Sequence, residues 1–70
     1  MSTQWYAIYD TASKDVVGAG FFAEPEQVDP GPGNLLSDGQ DGSIPNPLMT
    51  DAGEALYVYN TETHLVEPKI

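Results

Sequence analysis

The chain has 70 residues, two Lys or Arg against eleven Asp or Glu, no Cys and a formal charge of −9. A domain of this size buries only about 60 % of the surface its unfolded chain exposes, and without a disulfide or a structural zinc set, oligomerisation or docking on a partner is the expected source of further stability. The charge excludes a phosphate-tracking protein, no apolar run nears the roughly 20 residues of a membrane helix, and "MSTQWYAIYD" lacks the basic and apolar regions of an export signal, so a soluble chain made without export is expected.

In chain order, "QWYAIYD" (Gln4 to Asp10) reads as a strand with Trp5, Ala7 and Tyr9 on one face and Tyr6 and Ile8 on the other. "DVVGAGFF" (Asp15 to Phe22) reads as its return, with Gly18 and Gly20 on the face of Val16 and Phe22, where they leave a groove. The loop between them carries Asp10, whose carboxylate can accept from the amides of Ala12 and Ser13 as an Asx-turn. The same phrase recurs near the other end: "AIYDTASKDVV" from Ala7 to Val17 is echoed by "YVYNTETHLVE" from Tyr57 to Glu67. Leu56 to Asn60 is therefore a strand, Asn60 takes the Asx role, and the return runs over Leu65 to Glu67 until Pro68. In both loops Lys14 and His64 hold the place where a left-handed glycine is common. A lone hairpin is marginal in water, so the two are expected to join into a small antiparallel sheet or open barrel, giving a mainly β single domain over residues 1–70.

Between the hairpins, Ala23 to Thr50 holds five Pro, four Gly and no Lys or Arg. Such a stretch cannot sustain a helix or a paired strand of ordinary length, and reads as an extended arm over 23–50 with apolar anchors in "NLL" and "IPNPLM". A short helical turn over Thr50 to Ala55, capped by Thr50 or Asp51 with Glu54 as the distal partner, is expected at its end.

The motifs that could carry chemistry lack the ligands or partners that the chemistry needs. "SDGQDGS" (Ser37 to Ser43) has two Asp-Gly steps, but Gln40, Gly42 and Met49 stand where a calcium loop needs oxygen ligands, so two turns are expected and no metal. His64 has no Cys or Ser beside it and reads as a turn residue; "GPG" at Gly31 to Gly33 lacks the Lys of a phosphate loop. Neither an enzyme nor a cofactor is expected. Trp5 and Phe21 are assigned to the core. The expected partner interface comprises Tyr6, Tyr9, Phe22, Leu35, Leu36, Ile44, Leu48, Met49, Tyr57 and Tyr59, because so few strands cannot consume apolar side chains from both faces.

At "WYAIYDTASKDVVGAG", then a Pro- and Gly-rich middle, then "YVYNTETHLVEP", the chain resembles small virion accessory proteins of tailed bacteriophages. That resemblance implies a capsid cement or decoration role in the virion, after synthesis in the host cytoplasm. The implied partner is a protein, the major capsid protein or another virion subunit, with a homo-oligomer as a further possibility and no direct contact with nucleic acid or membrane. The charge alone also admits an inhibitor that imitates nucleic acid, although seven of the eleven carboxylates lie between Glu24 and Glu54, in a segment that does not read as a rigid element.

Overall fold

The computed structural model describes residues 4–69; Met1 to Thr3 of the N-terminal stretch lie outside them. The chain is mainly β, with both expected hairpins. β1 (Tyr6–Asp10) pairs antiparallel with β2 (Val16–Gly20), and β4 (Tyr57–Asn60) with β5 (Leu65–Pro68). They close by the same chemistry. Asp10 Oδ1 accepts from the Ala12 and Ser13 amides at 2.7 and 3.2 Å, and Asn60 Oδ1 from the Glu62 and Thr63 amides at 2.9 and 3.2 Å. Lys14 and His64 take the left-handed position, with φ of 68° and 61°, and each donates its backbone N–H to the carbonyl of its Asx residue.

The hairpins do not merge into one sheet. β3 (Asn34–Leu36), from the middle of the arm, pairs antiparallel with the second edge of β1, giving the order β2-β1-β3, while β4 and β5 form a separate two-stranded sheet. Among the described residues, the two sheets touch edge to edge where Asp15 bridges Val58 and the Tyr59 amide donates to the Lys14 carbonyl. Just beyond that point the pairing of β2 slips by one residue: Ile8 stands opposite Gly18, but Tyr9 opposite Val16. Such a bulge sharpens local twist and bends the strand, which carries β2 away from β4.

The bulge also corrects the expected faces. Val16 turns inward beside Tyr9 and is fully buried, while Gly18 and Gly20 stand opposite Ile8 and Tyr6 on the other face. No open groove remains over those glycines, since Ile8 Cδ1 lies 3.7 Å from where a Gly18 Cβ would be, and the Phe22 ring lies over Gly20 and stacks on Tyr6 at 6.3 Å.

Trp5, Ala7 and Val16 form the buried centre, with Ala19, Ile44, Leu48, Tyr57 and Val66 packed on it. Two turns of the arm therefore lie against this chain's own domain. The expected helical turn at Thr50 is absent: Met49 bridges Ala55, the Thr50 hydroxyl accepts from the Glu54 amide at 3.1 Å, and Gly53 supplies φ of +87°. A tight loop with a left-handed glycine before the return fits here because the Thr50 backbone pairs with Glu54 across it, which a helix would forbid.

Candidate interaction surface

The domain's surface begins where its core stops. Of the residues expected to face a partner, Tyr9 and Tyr59 are 7 % and 5 % exposed and lie ring against ring, so they belong to the interior. They are drawn inward because both precede an Asx residue on the face that the two hairpins turn toward each other. Tyr6, Phe22, Leu36, Ile44, Leu48, Met49 and Tyr57 are half-buried, and Leu35 is exposed at the edge of its sheet. Phe21, assigned to the core from sequence, is instead 54 % exposed, because the chain leaves β2 at Gly20 and it is Phe22 that folds over the sheet.

Two buried polar residues, Ser37 and Gln40, hold this arrangement, and neither carries a sequence signal. The Ser37 hydroxyl accepts from the Ala7 amide at 2.9 Å and donates to the Asp38 carbonyl, prolonging the β1–β3 ladder. Gln40 exchanges two backbone hydrogen bonds with Trp5. Its side-chain amide donates to the carbonyls of Asp38 and His64, at 3.0 and 2.9 Å, and accepts from Val66 at 3.1 Å. One side chain thus ties the first sheet, the arm and the second hairpin together, because a primary amide carries both the donors and the acceptor that three loose strands leave over.

Close by, His64 Nδ1 meets Asp38 Oδ2 at 2.9 Å and Tyr59 Oη at 3.4 Å. A Tyr, His and Asp in contact resemble an acid–base set, but burial pushes the Tyr59 phenol above its usual value, against the hydrogen bond it accepts from the Asp38 amide. A phenol so held stays protonated at neutral pH and acts as a hydrogen-bond partner rather than a base. The His64 and Asp38 side chains are themselves mostly exposed, so no dry pocket encloses the set. Its chemistry is that of a clasp between the arm and the second hairpin. Among the described residues, no three His, Cys, Asp or Glu converge as a metal site, and no helix is long and apolar enough to cross a membrane.

Among the described residues, a groove of about 660 Å³ runs along the start of β4 and the end of β5. Ala55, Leu56, Tyr57 and Pro68 supply its apolar lining, and Thr50, Glu54 and Lys69 its polar rim. The Lys69 ammonium is already paired with Asp15 at 3.1 Å, and the Lys69 amide donates to the Leu56 carbonyl, which fixes the end of the groove. Glu54 is left as the rim's carboxylate. A volume of this order suits one or two inserted side chains with apolar bodies. The chain matches no known family model, no curated protein and no solved structure.

Proposed function

We propose that this is a non-enzymatic structural protein that docks on an assembled protein shell, in the manner of a virion cement or decoration protein, with a capsid subunit as its partner. The observation that carries the reading is the apolar groove of Ala55, Leu56, Tyr57 and Pro68 on a domain whose charge is almost wholly acidic. Apolar side chains from a partner fill such a groove, and Lys and Arg around them meet the carboxylates, which speeds encounter and sets orientation. The virion setting rests on the resemblance of the two hairpin phrases and their Pro-rich middle to phage accessory proteins.

Imitation of nucleic acid draws on the charge alone. The carboxylates of Asp38, Asp41, Asp51 and Glu54 lie on loops and turns rather than along one rigid element, an arrangement that favours docking over mimicry.

The test is sedimentation of the purified chain with assembled tailed-phage shells stripped of accessory proteins. Binding that saturates at a fixed number per shell, weakens as salt rises and drops with Leu56→Ser supports the reading. Shells that sediment without the chain, or binding indifferent to Leu56→Ser, defeat it, and tight binding to a DNA-processing enzyme instead selects the mimic.

A further inference from the structure

The backbone of β2 carries a second surface, independent of shell binding. In β1 the odd positions face β3: the Ala7 carbonyl accepts from Ser37, and the Thr11 amide donates to Gly33. The even positions face β2, as the Asp10 amide does in donating to Asp15. Ile8 and Tyr6 are even, so their partners Gly18 and Gly20 spend their backbone groups on β1, and Ala19 between them turns its N–H and C=O outward. The bulge at Val16 and Val17 has already bent β2 off β4, so past the Asp15–Val58 bridge no strand among the described residues covers this edge.

Natural sheets protect such edges with charge, Pro or brevity. The β3 edge is three residues long and follows Gly31-Pro32-Gly33, and on β5 the Val66 amide is taken by Gln40 while Pro68 has none to offer. From Val16 to Ala23 the sequence is "VVGAGFFA", without a charge or a proline. On it Val17 and Phe21 are 40 % and 54 % exposed, two residues to either side of Ala19.

We infer that this edge pairs with itself, two copies joining antiparallel about a two-fold axis at Ala19 to make one six-stranded sheet. The occupant is a second copy because the edge is self-complementary in that register. Ala19 exchanges both backbone hydrogen bonds with its symmetry mate, and Val17 of each copy stands opposite Phe21 of the other, so the two exposed apolar residues cover each other. Gly18 stands opposite Gly20, and neither has a side chain to obstruct the approach. The charge of −9 on each copy opposes association, so salt strengthens this contact by screening, whereas it weakens docking on a basic shell.

The experiment is sedimentation equilibrium of the chain alone over a range of concentration and sodium chloride, joined to cysteine cross-linking. The expected result is a monomer–dimer equilibrium that shifts toward dimer as salt rises. Phe21→Ser, at an exposed position outside the core, weakens it by at least roughly tenfold, because each dimer loses two symmetry-related, partly buried aromatic contacts. Paired Ala19 residues lie about 5.5 Å apart between Cα atoms, within disulfide range, so Ala19→Cys cross-links on mild oxidation and Glu62→Cys, on a distant loop, does not. A chain that stays monomeric at high concentration and high salt, a dimer that dissociates as salt rises, or equal cross-linking of the two cysteine variants overturns the inference. Because only this chain is present, the outcome does not depend on whether it binds shells.

Discussion

Tyr9 and Tyr59 stand one residue before the Asx residue of their respective hairpins, and their rings meet at 4.8 Å with 39° between planes. The repeated phrase thus places one aromatic from each end of the chain at the junction of the two sheets. Truncating either ring removes one of the contacts that join them. Tyr59→Ala is expected to cost about 3–5 kcal/mol, the range for a buried aromatic, which is most of the stability of a domain this small. Tyr59→Phe keeps the ring and loses only the hydroxyl that accepts from the Asp38 amide, at a cost of about 1 kcal/mol. Urea unfolding of both variants checks this, and equal losses would mean that the hydroxyl matters more than the packing.

The same phenol sets an alkaline limit. Burial raises the Tyr59 pKa above that of an ordinary phenol. The unfolded chain therefore releases this proton at lower pH than the folded one, so its contribution to stability is complete below about pH 10, where the unfolded phenol titrates, and is lost as pH rises through the folded value. A pH series of thermal unfolding should show a decline above that point for the native chain and a smaller one for Tyr59→Phe. Identical alkaline profiles would place the titrating group elsewhere.

Lys14 and His64 hold left-handed backbone that a non-glycine residue adopts at a cost of roughly 1–2 kcal/mol. Lys14→Gly is expected to stabilise the chain by about 0.5–1 kcal/mol, since relief of strain outweighs the extra freedom of glycine in the unfolded state. His64→Gly should gain less, because it also loses the contacts with Asp38 and Tyr59. Unfolding midpoints decide the order, and a destabilised Lys14→Gly would show that the Lys14 ammonium bond to the Thr11 carbonyl outweighs the strain.

What was legible in the sequence was local. Asp10 and Asn60 announced their turns because an Asx residue reaches only two or three residues ahead, and the alternation of Trp5, Ala7 and Tyr9 announced their shared buried face because a strand alternates sides. The bulge at Val16 has no local signature because a one-residue slip is set by the partner strand, and it reverses the face that simple alternation gives the glycines. Leu35 and Leu36 read as anchors of a free arm because a three-residue strand has no period of its own to display. The groove was legible only through Tyr57. Leu56, Pro68 and Lys69 converge there through the pairing of β4 with β5, which no local pattern states.

Gln40 is the extreme case of that non-local dependence. By sequence it is a polar residue between two Asp-Gly turns, no different in kind from Gln4, yet it is 5 % exposed and its side chain serves Asp38, His64 and Val66. Gln40→Leu keeps similar bulk but leaves two carbonyls and one amide without a partner in a half-buried place, and is expected to cost roughly 2–4 kcal/mol. Gln40→Glu should be worse at neutral pH, because a carboxylate would face the two carbonyl oxygens that now receive hydrogen bonds. Acidification should recover part of the loss, since protonation restores one donor. The control is Gln4→Ala, which removes an exposed bond to Asp41 and the exposed side chain's contact with Gly39 and should change stability by no more than about 0.5 kcal/mol. Urea unfolding measures all three, and faster exchange of the Val66 amide in Gln40→Leu reports the lost acceptor. If Gln40→Leu proved no less stable than Gln4→Ala, the three-way clasp would not be what joins the second hairpin to the first sheet, and the Tyr9–Tyr59 contact and the Asp15–Val58 bridge would have to hold them.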